Sequence, residues 1–315
     1  MKRVLVIHFS QTGQLSEAVT ALVDPLTAAG HQVTREVLVP KQPFPFPWSL
    51  LHFLDAFPES VQLAPASIEP LSLPAQAEFD LIVLAYQAWY LSPSQPMTAF
   101  LKSADAARLL RGKPVVTLVA CRNMWLMAQE KMKAMIAAAG GELRDHIALT
   151  DPPENALSTF ITTPRWLLTG RRNAFWGLPE AGIPAQQLRG AQRFGRALAE
   201  ALDRDAERAP GPMLSGLRAA PVDVNLIMSE HAGHRAFKVW SRLIRAIGGP
   251  GSTVRRPFLL LFALYLILMI ATVLPLSRLL QWLLAPLLRP MLLRRQAYFE
   301  APSGAGDYNL HRYEQ

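Results

Sequence analysis

Ser10, Gln11, Thr12, Gly13, Gln14 and Leu15 follow the apolar run Val4–Ile7, and their types suit the capture of an anion. The hydroxyls of Ser10 and Thr12 are donors, and Gly13 lets the backbone approach closely. A helix start adds unpaired N–H groups and partial positive charge. No lysine or arginine lies in the turn, so a phosphate there would be held by neutral groups. The same residues also make a plain helix cap with no ligand, and the turn alone does not separate the two. Far along the chain, MSEHAGHRAFKVW places His231 and His234 three apart on one helix face, beside Glu230. Histidine titrates near neutrality, so His231 is a candidate for moving a proton from a carbon flanked by carbonyls. A surface role near a membrane is the plainer reading. No metal site is expected from so few ligands. His8 ends a buried strand and reads as structural.

The elements that must position these residues alternate. Strand-like runs occur at Arg3–Ile7, Gln32–Val37, Leu81–Ala85, Pro114–Ala120 and Glu142–Leu149, with helical patterns at Leu15–Ala29, Pro96–Lys102 and Leu126–Ala139. Such alternation predicts an α/β fold with a doubly wound, five-stranded parallel sheet. Sheets of this kind bind ligands beyond the carboxyl ends of their strands. That crevice would gather the loops Ser10–Leu15, Tyr86–Gln95 and Cys121–Trp125. Two segments exceed what a minimal fold needs. Lys41–Phe57 is rich in proline and aromatics, and Phe160–Leu178 mixes Trp166, Phe175 and Trp176 with Arg165, Arg171 and Arg172. Aromatic and basic interleaving is typical of membrane-interface surfaces, although a loop packed on the core has the same composition. Ile183–Leu202 reads as a closing amphipathic helix and RDAERAPGP as a domain boundary. The expected organisation is a domain over 1–205 with insertions at about 41–78 and 155–182. A basic amphipathic linker or helix over 206–256, a hydrophobic segment over 257–295 and a polar tail over 296–315 follow.

Of 315 residues, half are hydrophobic and one is cysteine, Cys121. A single cysteine excludes an internal disulfide framework and suits a reducing cytoplasm. The net charge of +8 is uneven: residues 1–159 hold 12 Lys and Arg against 14 Asp and Glu, and residues 160–315 hold 20 against 10. Basic excess in one half points to nucleic acid or to a membrane. The 20 uncharged residues Pro257–Leu276 decide for the membrane, since a helix of that length spans about 30 Å of hydrocarbon. Arg235, Lys238, Arg242, Arg245, Arg255 and Arg256 precede it and place the N-terminal domain on the cytoplasmic face of the inner membrane. Arg278, Arg289, Arg294 and Arg295 follow it, among leucines and two prolines. A single span would leave these arginines outside; a re-entrant hairpin or interfacial helix keeps them inside. Both courses stay open at the level of sequence.

FSQTGQLS resembles the phosphate loop of flavodoxin-like proteins, in which S/T-x-T-G-x-x binds the phosphate of FMN. AYQAWYLSPSQPMTAFL is similar to the ring-binding loop of flavodoxin-like quinone reductases, and ACRNMW falls at the remaining flavin-contact loop. The resemblance covers about residues 1–205, less the insertions. The start MKRVLVIHFSQTGQLSEAV and the C-terminal hydrophobic segment also resemble the membrane-attached proteins named dialkylresorcinol condensing enzymes. The resemblance implies FMN as cofactor, with Ser10, Gln11, Thr12, Gly13, Gln14 and Leu15 around its phosphate. It implies Tyr86, Gln87, Ala88, Trp89, Tyr90 and Leu91 along one side of the ring, with Trp89 or Tyr90 stacked on it. It sets Cys121, Arg122, Asn123, Met124 and Trp125 at the pyrimidine side, where Arg122 would stabilise negative charge. The implied role is oxidation or aromatisation of a hydrophobic cyclic diketone made by a ketosynthase partner with an acyl carrier protein. No condensing machinery is present, because Cys121 falls in the third loop. Two rival readings are an NAD(P)H-dependent quinone reductase of the same fold and a non-catalytic membrane adaptor that lost flavin. Nucleic acid is the least favoured partner, and the sequence does not fix the oligomeric state.

Overall fold

Val4, Leu5, Val6 and Ile7 are all wholly buried in strand β1 (Arg3–His8), as a strand covered on both faces requires. The computed structural model describes residues 1–151 and 161–314. β1 is flanked by β2 (Gln32–Val37) and β3 (Leu81–Trp89), and the sheet continues through β5 (Pro114–Cys121) to β6 (Glu142–Thr150), all parallel. The order β2-β1-β3-β5-β6 is the flavodoxin-like doubly wound order, whose direction of winding reverses between β1 and β3. The five long strands match the sequence expectation within a few residues at each end.

The largest of those differences is instructive. β3 runs four residues past Ala85 because β4 (Ser92–Pro93) folds back antiparallel on Ala88 and Trp89. The two residues between, Tyr90 and Leu91, both have positive φ, 51° and 58°. A tight hairpin demands that conformation, and side chains other than glycine adopt it at a cost of about 1–2 kcal/mol each.

One face of the sheet is covered by α1 (Gln14–Ala28), α8 (Ala185–Arg189) and α9 (Gln192–Asp203). The other is covered by α4 (Gln95–Leu101), α5 (Ala104–Leu110) and α6 (Leu126–Ala138), with α10 (Val224–Ile247) outside them. The two crossover segments form short helices, α2 (Leu50–Asp55) and α3 (Phe57–Val61) in the first and α7 (Thr162–Thr169) in the second. Part of the second, residues 155–160, lies outside the described residues.

Residues 204–222 stay on the body of the domain. Glu207 is buried beside Lys2, and the Ala148 N–H of β6 donates to the Ala219 carbonyl at 2.8 Å. After α10 come α11 (Arg256–Leu283) and α12 (Ala285–Glu300), and the chain then returns to the same sheet. Ser303 Oγ donates to Asp145 Oδ1 at 2.8 Å and accepts from the His146 N–H at 2.7 Å; Tyr313 donates its hydroxyl to Glu200 at 2.6 Å. Helices α11 and α12 therefore form a hairpin whose two ends sit on one domain. Thr253–Thr272 is long and apolar enough to cross a membrane and is mostly exposed.

Candidate functional site

At the carboxyl ends of β1, β3 and β5 lies a pocket of about 250 Å³, at the reversal point where doubly wound sheets hold ligands. All three predicted loops reach it. Gln11, Thr12, Gln14 and Leu15 come from the first, Gln87, Ala88, Trp89 and Tyr90 from the second, and Cys121 and Arg122 from the third.

The first loop is shaped by Gly13, whose φ of 87° makes it a left-handed cap for α1. Ser10 Oγ accepts from the Gly13 N–H at 3.1 Å, which closes the turn and leaves the serine hydroxyl free to donate. The N–H groups of Gln14 and Leu15 open α1 and have no acceptor within the helix. The Leu15 side chain is wholly buried in the core. Gln11 is spent on architecture: Nε2 donates to the Phe44 and Pro45 carbonyls at 3.1 and 2.8 Å, and its N–H donates to Gln87 Oε1 at 3.2 Å. Those bonds tie the first loop to the first insertion and to the second loop.

In the second loop, strand parity sorts neighbours onto opposite faces. Gln87 faces the pocket, whereas Tyr86 is wholly buried on the α6 side, where its hydroxyl donates to Gln129 Oε1 at 2.8 Å. Gln129 Nε2 in turn donates to Thr117 Oγ1 at 3.0 Å, and Thr117 bonds His146 Nδ1 at 2.8 Å. Tyr86 thus belongs to a buried polar chain and not beside a ring. Leu91 is core as well. Trp89 is braced edge-on by Phe9, Phe44 and Trp48, with ring centroids 5.9, 5.0 and 5.6 Å away. Tyr90 donates its hydroxyl to the Phe53 carbonyl and sets its ring 5.3 Å from Phe53 and 5.2 Å from Phe57.

In the third loop, Arg122 lines the pocket but forms an ion pair with the buried Asp151. Its net charge toward a ligand is largely cancelled, and burial lowers its pKa to about 10. Burial likewise raises the Cys121 thiol far above the ordinary range, which keeps it a neutral wall group and not a nucleophile. Trp125 turns inward, with its ring 4.6 Å from that of His146, and Met124 packs on the same core. Asn123 is half-buried and does not line the pocket.

His231 is not in the pocket either. The three-residue spacing does set His231 and His234 on one side of α10, but that helix lies outside α6. His231 Nδ1 meets the Ile227 carbonyl at 2.8 Å, and its ring lies 5.8 Å from Phe299 of α12. Burial, with Lys131 and Lys238 nearby, lowers the His234 pKa to about 4. Glu230 is wholly buried, accepts from the Met127 N–H at 2.7 Å, and is raised to about 7 by desolvation. Among the described residues no three His, Cys, Asp or Glu converge as metal ligands do.

The residues that sequence reasoning missed are the roof. Trp48, Phe53 and Ala56 of the first insertion, Thr163, Trp166, Leu167 and Gly182 of the second, and Ile183 just after it complete the walls. The Trp48 N–H donates to the Leu167 carbonyl at 2.8 Å, joining the two segments over the pocket. Their surplus of aromatics was the available signal. The arrangement fits a flat ring with an anionic tail. Three tryptophans offer apolar faces, the first turn of α1 offers unpaired amides, and the buried Gln11 Oε1 and Thr163 Oγ1 have no partner among the described residues. Buried polar atoms of that kind call for a ligand's polar edge.

No protein-family model and no curated protein matches the chain. Solved structures similar to it include a flavoprotein from Lactobacillus acidophilus NCFM in complex with FMN, at 12% identity over 47% of this chain and 93% of that one, TM-score 0.39. A flavodoxin from the domain Archaea matches at 13% identity over 64% and 99% of the two chains, TM-score 0.34. A flavone reductase matches at 12% over 74% and 70%, TM-score 0.37. The fold assignment rests on the strand order itself.

Proposed function

We propose that the chain is an FMN-dependent oxidoreductase, anchored to the cytoplasmic face of the inner membrane by α11 and α12, that aromatises a hydrophobic cyclic diketone. The observation that carries this reading is the meeting of three loops at the β1–β3 reversal point, in a pocket lined by the first turn of α1 and by three tryptophans. The backbone N–H groups of Thr12, Gln14 and Leu15 and the hydroxyls of Ser10 and Thr12 would hold the phosphate. Trp48, Trp89 and Trp166 would enclose the ring and exclude water. A bound flavin supplies a two-electron acceptor. Turning a cyclohexanedione into a resorcinol removes two electrons and two protons. Dioxygen or a membrane quinone would take up those electrons in turn. Among the described lining residues there is no carboxylate or imidazole, so enolisation is left to the diketone, whose flanked carbon is acidic by itself. The sequence resemblance supports the dialkylresorcinol or aryl-polyene class of lipid as product and a ketosynthase with an acyl carrier protein as its source.

The visible absorption spectrum of the detergent-extracted protein tests the reading. Flavin bands that bleach when a dialkylcyclohexanedione is added in the absence of oxygen, and that return when dioxygen is admitted, are expected. A colourless protein that takes up no FMN would leave the adaptor reading instead. Reoxidation by simple quinones with steady consumption of NAD(P)H would favour the quinone reductase.

A further inference from the structure

Helix α2 has two apolar sides with different neighbours. Phe53 and the adjoining Ala56 line the pocket, and Leu54 is buried beneath α11 with Leu259 and Phe262. One turn earlier, Leu50 and Leu51 are 48% and 37% exposed. Helix α11, against which α2 packs, exposes an apolar surface of its own, where Leu260, Leu261, Leu264, Ile267 and Leu268 are about half exposed or more. An exposed surface of this composition marks an interaction site. Its chemistry is that of a lipid leaflet. Residues 224–300 contain ten Lys and Arg, of which Arg255 is buried, against two Glu, of which Glu230 is buried, and such a segment is drawn to anionic headgroups.

The pocket wall is also fixed in register with α11. Arg255, at the foot of α11, is wholly buried and pairs with Asp55 at the end of α2 and with Glu59 of α3 at 3.1 Å. A continuous aromatic path leads from the pocket to the helix: Tyr90 lies against Phe57, and Phe57 stacks on Phe262 at 3.8 Å and 13°.

From these relationships we infer that the pocket is loaded laterally from the bilayer. Helix α2 lies at the leaflet surface beside α11, and the substrate is a membrane-dissolved ring compound with an apolar tail that passes α2 without entering water. The inference rests on the flavin reading for its chemistry but not for its geometry, so two measurements separate the two.

The first measurement needs no cofactor. Full-length Leu50→Cys and Leu264→Cys proteins, spin-labelled and bound to vesicles of phosphatidylcholine with phosphatidylglycerol, are compared with labelled unsubstituted protein as the Cys121 background. Both new labels should be accessible to oxygen and shielded from a water-soluble nickel chelate, whereas a label at the exposed Val37 of β2 should show the reverse. A Leu50 label in water beside a Leu264 label in lipid overturns lateral loading.

The second measurement uses the flavin-loaded protein in the same vesicles. The double variant L50E/L51E should reoxidise roughly tenfold more slowly with a long-tailed ubiquinone, because a charge is poorly tolerated in the apolar zone. Its rate with a tailless, water-soluble quinone and its FMN content should be unchanged. Equal slowing with both quinones, or with neither, counts against the path. Failure to hold any FMN counts against the flavin reading and leaves the first measurement to decide the geometry.

Discussion

Gln14 grips Ile183 with both ends of its carboxamide: Nε2 donates to the Ile183 carbonyl at 2.9 Å and Oε1 accepts from the Ile183 N–H at 3.2 Å. The first turn of α1 is thereby joined to the roof. Gly182, at φ 85°, lies so close that a Cβ there would stand 2.4 Å from Gln14 Oε1 and 2.9 Å from Trp166. Replacing Gln14 by Leu should cost about 1–3 kcal/mol in urea unfolding, because buried backbone groups lose their partners. Gly182→Ala should give a similar loss and faster release of FMN. An alanine variant with unaltered unfolding and unaltered release would mean that this junction is loose.

The phosphate loop predicts a contrast between two ligands. Ser10→Ala with Thr12→Val removes two hydroxyl donors and leaves the amides. FMN affinity should fall roughly 10²- to 10⁴-fold, as expected for two hydrogen bonds to a charged group. Riboflavin, which has the ring without the phosphate, should bind the variant as it binds the unsubstituted protein. Titration by flavin fluorescence quenching measures both. Parallel losses for the two ligands would move the anion away from this turn.

What could be read from the chain was local. The strands with their buried β-branched runs, the turn at Gly13 and the order of the three loops all follow from short-range patterns. What could not be read depends on pairing at a distance or on parity. The roof forms because Trp48 meets Leu167, and nothing in either segment names the other. Tyr86 and Gln87 stand side by side in one motif, yet the period of a strand sends only Gln87 to the pocket. The hairpin at Tyr90 and Leu91 lacks the Asn-Gly signature of its turn type; it is held by tertiary contacts, Tyr90 on Phe53 and Leu91 in the core. The return of residues 301–314 to β6 was equally hidden, because a single hydroxyl, that of Ser303, serves both Asp145 and His146.

Arg255 is expected to be the most sensitive residue outside the pocket. Its guanidinium is wholly buried and meets two carboxylates, Asp55 and Glu59. Arg255→Ala strands both acids and should destabilise the domain by about 3–5 kcal/mol. Arg255→Lys keeps the charge but loses the two-pronged geometry, so it should fall between. A loss below about 1 kcal/mol in the alanine variant, by chemical denaturation in detergent, would show that water reaches the acids.

Glu230 gives a pH prediction with a definite sign. Desolvation raises its folded pKa to about 7, above an ordinary carboxyl value of 4.5. Between those values the folded protein binds a proton that the unfolded chain has released, so the stabilisation is complete below pH 4.5 and is lost as pH rises through 7. Glu230→Gln mimics the protonated side chain and can still accept from the Met127 N–H. His146, lowered to about 3 chiefly by burial, pulls the other way under acid, so the test is the difference between variant and unsubstituted protein and not either curve alone. That difference should be small at pH 5 and grow to roughly 1–3 kcal/mol in favour of the glutamine by pH 8. Melting temperatures across that range measure it, and a difference that stays constant would mean that Glu230 titrates as it does in water.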